Sequence, residues 1–111
     1  MHNFDKSRRL LTKAEFDAVF KLAKKKVIPG FVVLYRPNQL THARLGCVLS
    51  KRMLAKAHQR NRIKRVLRES FRQQILPGFD VIFLARHGLA KNKNADITTR
   101  LSDVWNELCG K

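Results

Sequence analysis

The sequence predicts an α+β protein in which helices pack on a small mixed β-sheet, in the order α-β-β-(β)-α-β-α. Segments with helical apolar periodicity alternate with short β-branched runs, and turn residues such as Pro29 and Gly30 separate them. One basic helical segment stands between two strand-like segments, which favours a parallel β-α-β crossover. With 111 residues, 44% of them hydrophobic, residues 1–111 are expected to form one domain with a modest core.

The first helix is predicted from Thr12 to about residue 24. Thr12 and Glu15 have the spacing of a capping box, and Leu11 and Phe16 have that of a hydrophobic staple. One apolar face follows at helical intervals, comprising Phe16, Val19, Phe20 and Ala23.

Three strands and two further helices follow from the same patterns. Strands are predicted at residues 31–36, 44–50 and 80–85, where β-branched and aromatic residues cluster. Helices are predicted at residues 58–74 and 96–108. In the last of these, one face is apolar and consists of Ile97, Leu101, Val104, Trp105 and Leu108.

The helix at residues 58–74 has two different faces. A rotation of about 100° per residue gathers an apolar stripe that is expected to pack on the sheet. The opposite face is basic, with Arg60 and Arg62 at its boundaries. The stripe comprises Ile63, Val66, Leu67, Ser70 and Phe71, and the basic face comprises Asn61, Lys64, Arg65, Arg68 and Arg72.

The charge balance indicates a polyanionic partner. Lys and Arg number 24 against 8 Asp and Glu, and the net charge is +16. No acidic residue occurs from Ala18 to Arg68. Solvated helix faces usually mix both signs of charge, so a face that is almost purely cationic favours phosphate binding. The frequent arginines offer planar, two-pronged donors that suit phosphates or stack on bases.

The sequence gives little support for a membrane protein, an exported protein, a metal-binding protein or an enzyme with its own catalytic side chains. No apolar run approaches the length of a spanning helix, and the N-terminus lacks an apolar signal core, so a cytoplasmic protein is expected. Cys47 and Cys109 lack metal-finger spacing. The acidic residues are scattered, and His2, His42, His58 and His87 stand in four separate segments. We therefore expect no catalytic side chain and no protein-bound metal.

The aromatic residues allow two interpretations. Phe16 and Phe20 have the spacing of core residues. Tyr35 closes a strand beside Arg36 in an acid-free region, which suits stacking on a single-stranded nucleic acid, although a half-buried tyrosine fits equally well.

Motifs along almost the whole chain resemble the protein subunit of bacterial ribonuclease P. They are SRRLLTKAEFDAVFK, GFVVLYR, RLGCVLSKR, RNRIKR, RESFR and DVIFLAR, in the family's order. The segment MLAKAHQ, residues 53–59, departs from many relatives, which affects the loop and His58.

The resemblance implies a left-handed crossover and an RNA-binding role. By position, the residues implied to contact the catalytic RNA subunit are Lys51, Arg52, Lys56, Arg60, Asn61, Arg62, Lys64, Arg65 and Arg68. Phe16, Phe20 and Tyr35 match the aromatics of a cleft that holds the single-stranded 5′ leader of precursor tRNA. The chemistry would belong to the RNA subunit and its Mg²⁺, and the protein would be a monomer in a 1:1 complex.

Two other functions share the size and charge of this chain. A structural protein of the ribosomal type would bind ribosomal RNA without affecting tRNA maturation. A free-standing nuclease would turn over substrate without any RNA subunit.

Overall fold

The computed structural model describes residues 13–40, 42–73 and 78–109. The capping box and the hydrophobic staple both involve residues outside these ranges, at Thr12 and Leu11. The described elements are α1 (Lys13–Leu22), β1 (Lys24–Ile28), β2 (Phe31–Pro37), β3 (Arg44–Val48), α2 (Ala57–Arg72), β4 (Phe79–Ala85), a short 3-10 helix (Leu89–Lys91) and α3 (Asn94–Cys109).

The four strands form one mixed sheet in the order β1-β2-β4-β3. β2 pairs antiparallel with β1 and with β4, whereas β3 pairs parallel with β4. The predicted α+β class, the element order and the parallel β3-α2-β4 connection are therefore confirmed. β4 lies in the interior of the sheet, and its continuous apolar run VIFLA is typical of a strand covered on both faces.

β1 was not located from the sequence, which extended the first helix to about residue 24. In the structure α1 ends at Leu22 and the chain forms an edge strand, KKKVI. Three successive lysines hide the alternation of a strand, but a sheet edge tolerates them because their ammonium groups stay in water. Gly30 closes the β1–β2 turn at φ +93°, a conformation that disfavours other residues.

Side chains of the sheet pack on helices at both faces. On one face, residues such as Phe31, Val33 and Phe83 form a core with α2 and α3. On the other face, Val19 of α1 packs against Ile82. Because successive strand residues point to opposite faces, each central strand contributes to both cores.

The apolar faces predicted for α2 and α3 are confirmed. In α2 the stripe is buried except for Val66, which is half-buried, and all five predicted residues of α3 are buried. Ser70 has a specific role in this core, because the Trp105 indole Nε1–H donates to its hydroxyl oxygen at 2.8 Å. The Trp105 ring also packs edge-on against Phe71, with ring centroids 5.6 Å apart.

A partly buried ion-pair network ties α1 to the sheet. Arg44 of β3 donates from Nε and Nη2 to the two carboxylate oxygens of Asp80, each at 2.8 Å. Its Nη1 donates to Glu15 of α1 at 2.6 Å. The hydrogen bond to Asp80 raises the pKa of Arg44, and the weaker opposing effect is desolvation. This guanidinium therefore neutralises a buried carboxylate and also orients α1.

Candidate nucleic-acid interface

Of the five residues predicted on the basic side of α2, Arg72 is half-buried, and the name basic face is kept from here on for the other four, Asn61, Lys64, Arg65 and Arg68. All four side chains are exposed, as the helical rotation predicted. Within the described ranges, Lys64 and Arg65 make no ion pair with a carboxylate, whereas Arg72 pairs with Glu69 at the end of the helix. Cations that lack a carboxylate partner and share one helix face repel one another until an external anion neutralises them.

Arg60 and Arg62 differ from the basic face because the protein itself uses their donors. Arg60 Nη1 donates to the backbone carbonyls of Leu54 at 2.8 Å and Ala55 at 3.2 Å. Arg62 donates to the carbonyl of Ala90 at 3.0 Å and also bonds residues 92 and 94. Both side chains are half-buried. Arg60 therefore holds the segment before α2, and Arg62 holds the segment before α3. Neither role was predicted from the sequence.

The segment before α2 carries further exposed cations, at Lys51, Arg52 and Lys56. It begins with a turn in which the Ser50 carbonyl accepts from the N–H of Leu54 at 2.9 Å, and Leu54 is fully buried. This buried anchor and Arg60 fix the segment at its centre, so the lysines and Arg52 lie beside the first turn of α2. His58, the residue left open by the sequence, is exposed on that turn.

The pKa of the Cys47 thiol in β3 is influenced by charges of the basic face. Burial raises the pKa of its thiol, and the charges of Lys64 and Arg68 act in the opposite direction. These two residues are four positions apart on α2, so both lie on the side of the helix near β3. A change in the charge of this face is therefore expected to change the pKa of the Cys47 thiol.

The three aromatics implied to line one cleft do not lie on the same face of the sheet. Phe16 and Phe20 lie together on α1, with ring centroids 6.5 Å apart, and Phe20 is 48% exposed. Tyr35 alternates with Leu34, which packs in the α1 core, and Tyr35 itself packs against the α2–α3 core. Strand parity therefore directs the Tyr35 ring to the face opposite to Leu34, and the grouping of Tyr35 with the two phenylalanines in one leader-binding cleft stays a prediction.

Two cations on the same face as Tyr35 were missed for the same reason as β1. Lys24 is its cross-strand partner, and Lys26 follows on the same face. If the KKKVI segment had been predicted as a strand, the alternation of its side chains would have placed Lys24 and Lys26 on one face.

The described ranges contain no candidate membrane-spanning helix and no candidate metal site. None of the helices there is long and apolar enough to cross a membrane. The same residues include no group of three or more His, Cys, Asp or Glu side chains that could hold a metal ion.

The family model and the sequence relatives point to the same protein family. The family model of ribonuclease P matches residues 4–109. The chain is 56% identical over 108 residues to the ribonuclease P protein component of Legionella pneumophila (strain Corby), covering 97% of this chain and 95% of that protein. It is 42% identical over 109 residues to the component from Pseudoalteromonas atlantica, covering 96% and 91%.

Solved structures agree with the sequence relatives. The ribonuclease P protein of Staphylococcus aureus superimposes with a TM-score of 0.81 at 31% identity, covering 89% of this chain and 93% of that one. The Thermotoga maritima protein gives a TM-score of 0.80 at 31% identity, covering 89% and 96%. The chain therefore belongs to the ribonuclease P protein family, the protein subunits of the ribonucleoprotein endoribonuclease that processes the 5′ end of tRNA.

Proposed function

We propose that the chain acts as a single RNA-binding domain that assembles with the catalytic RNA subunit through the basic face and the segment before α2. The observation that carries this proposal is the exposed cationic face of α2, on which Lys64 and Arg65 make no ion pair with a carboxylate of the described ranges. Phosphates of a folded RNA would supply the missing counter-charge and release bound counterions. The proposed contacts are Lys51, Arg52, Lys56, Asn61, Lys64, Arg65 and Arg68.

Arg60 and Arg62 contribute to this interface chiefly by positioning it. Their hydrogen bonds to backbone carbonyls fix the segment before α2 and the segment before α3. Each guanidinium has five N–H donors, and those not used internally remain for the RNA. Replacing either arginine would therefore disturb both the shape and the charge of the surface.

The 5′ leader of precursor tRNA is proposed to bind at α1, on the side of the sheet away from α2. Phe20 supports this assignment, because a large aromatic side chain that is 48% exposed on a cationic protein suits stacking on unpaired bases. Phe16 lies beside it and is half-buried. Tyr35, the third aromatic of the implied cleft, stays a proposed leader contact at the end of β2.

The remaining features of the complex follow from this assignment. The RNA subunit with its Mg²⁺ carries out the hydrolysis, and the protein lowers the Mg²⁺ concentration required by neutralising closely spaced phosphates. One protein binds one RNA, in the cytoplasm where precursor tRNA is made.

The decisive experiment is single-turnover cleavage of a precursor tRNA at low, near-physiological Mg²⁺. The protein alone, the RNA subunit alone and the mixture are compared. Cleavage restored only by the mixture is expected. Cleavage by the protein alone would reveal a nuclease, and the absence of any effect would favour a ribosomal-type RNA partner.

The leader site is tested with Phe20→Ala. This variant should weaken binding of precursor tRNA by the assembled enzyme and leave mature tRNA unchanged. Removal of one stacked base contact costs about 1–3 kcal/mol. Leu40→Ala is the matched control, since Leu40 is a similarly exposed apolar residue in the β2–β3 connection. Equal loss for precursor and mature tRNA would exclude a leader contact.

A further inference from the structure

One polar row crosses the face of the sheet that α1 covers. Arg36 of β2 and Arg44 of β3 both stand opposite Asp80 of β4 in the strand pairing. Residues that pair across neighbouring strands project to the same face of a sheet. The three side chains therefore form one line, with the carboxylate between two guanidinium groups.

Both arginines of this row contact the same turn of α1. Arg44 Nη1 donates to the Glu15 carboxylate at 2.6 Å, and Arg36 Nη1 donates to the backbone carbonyl of Ala18 at 3.2 Å. Residues 15 and 18 are three positions apart and are therefore neighbours on the helix surface. The sheet thus holds α1 at two polar points on one side of the helix.

The guanidinium of Arg44 is fixed by the sheet before it reaches α1. Its Nε and Nη2 donate to the two oxygens of Asp80, and the Asn38 side chain donates to one of the same oxygens at 2.9 Å. Asp80 is 5% exposed. Because the planar guanidinium is held along one edge, the position of Nη1 and of its partner Glu15 is set by the sheet.

The apolar contact of α1 is small. The helix has 10 residues, and Val19 is the one among them that is buried. Val19 packs against Ile82, while Phe16 and Ala23 beside it are only partly buried. A short helix depends on tertiary contacts for its stability, and one buried side chain restrains its rotation about the helix axis only weakly. The two arginine bonds supply the missing restraint.

The rotation of α1 determines where its aromatic side chains point. Phe16 directly follows Glu15 in the sequence, and Phe20 lies one turn further on, with its ring 6.5 Å from that of Phe16. Phe20 is the more exposed of the two. A rotation of the helix that breaks the bond between Glu15 and Arg44 would therefore move both rings relative to the sheet.

We propose that Glu15 is a positioning residue for leader recognition, because its bond to Arg44 holds α1 in the rotation that presents Phe20 to the unpaired leader. The inference rests on the proposed leader site at α1 and adds the contact that determines how strongly the assembled enzyme prefers precursor to mature tRNA. Glu15 is an anion and repels phosphate, so its contribution to binding is indirect.

Glu15→Gln and Asp17→Asn form a matched pair of variants. Each removes one negative charge from α1, and Asp17 is exposed and makes no ion pair among the described residues. Glutamine also serves the N-terminus of a helix as glutamate does. Loss of a carboxylate near RNA strengthens binding by electrostatics alone.

The affinities of the assembled enzyme for precursor and mature tRNA are measured for both variants. Asp17→Asn should keep the ratio of the two affinities, whereas Glu15→Gln should lower it several-fold through weaker binding of the precursor. Equal ratios in the two variants would overturn the positioning role.

A double-mutant cycle with Phe20→Ala shows whether Glu15 acts through the ring. In Phe20→Ala protein, Glu15→Gln should have no further effect on the ratio. The same loss in both backgrounds would overturn the inference while leaving the leader site intact. If Phe20→Ala alone left the ratio unchanged, the leader site at α1 would be wrong, and the inference would fall with it.

Hydrogen exchange of the assembled enzyme, followed by mass spectrometry, gives a readout that does not depend on tRNA. Glu15→Gln should accelerate exchange of the α1 amides and leave those of α2 unchanged, because only the attachment of α1 is weakened. Exchange equal to that of Asp17→Asn would contradict the proposal. Acceleration throughout the described elements would also overturn it, since the variant would then have lost global stability.

Discussion

Arg62, in the centre of the most basic segment of the chain, donates a hydrogen bond to the backbone carbonyl of Asn92, 30 residues further along and 3.2 Å away. A second bond, from Nη2 to the carbonyl of Ala90, spans 3.0 Å. Both acceptors belong to the connection between β4 and α3. The guanidinium therefore joins α2 to the start of α3, and its effects on RNA binding and on folding are coupled.

Arg62→Ala is expected to lower the free energy of unfolding by about 2 kcal/mol, because hydrogen bonds from a charged donor to partly buried carbonyls are lost. Urea denaturation followed by circular dichroism measures the change. Arg65→Ala is the control, since its side chain is exposed on the same helix and should change stability by less than about 0.5 kcal/mol. Equal stability of the two variants would contradict the joining role.

Lys64→Ala should weaken assembly with the catalytic RNA subunit without changing the fold. Loss of one phosphate contact lowers the slope of log K against log salt concentration by about 1. Filter binding over a range of KCl concentrations gives this slope. Lys25→Ala is a suitable control, because Lys25 is an exposed lysine of the edge strand β1, outside the proposed interface. An unchanged slope for Lys64→Ala would place the RNA elsewhere.

Ser70→Ala should destabilise the protein by about 1–3 kcal/mol, because the buried Trp105 N–H loses its acceptor. Chemical denaturation monitored by the fluorescence of Trp105, the only tryptophan, measures this loss. Ser102→Ala serves as the control, since Ser102 is half-buried in α3. A stability equal to that of the control would mean that the indole N–H needs no partner.

The pH dependence of Cys47 follows from the raised pKa of its thiol. A folded pKa above the unfolded pKa stabilises the protein fully at pH values below the unfolded pKa. This contribution is lost as the pH rises through the folded pKa. The pKa is read from the rate of iodoacetamide alkylation against pH in Cys109→Ser protein, which retains one thiol.

Lys64→Gln should raise the pKa of Cys47 further, because Lys64 is one of the two cations that lower it. Lys91→Gln removes a lysine charge outside the basic face and should leave this pKa unchanged. An unchanged pKa in Lys64→Gln would show that the ammonium group does not act on the thiol.

The sequence was most informative where one physical requirement determined the pattern. The two faces of α2 could be predicted because a helix that packs on a sheet must bury one stripe, and Ile63, Leu67 and Phe71 occur at that interval. The parallel crossover followed from a helix between two apolar strands.

Other features depend on register and on long-range contacts, which local patterns do not contain. The face that Tyr35 occupies depends on strand parity and on which helix covers each face. The partners of Arg62 lie 28 to 32 residues away. A count of charges identified the basic segment but could not separate cations used internally from those available to RNA.

The lysines of β1 have a consequence for the free protein. β1 lies at the edge of the sheet, where an unpaired strand can recruit the strand of another molecule. Two copies meeting edge to edge would bring the Lys24–Lys26 runs together, and their mutual repulsion opposes such pairing. A polyanion bound along this edge would remove that protection, so an excess of short, unstructured RNA should promote aggregation, and high salt should weaken the same protection by screening the repulsion.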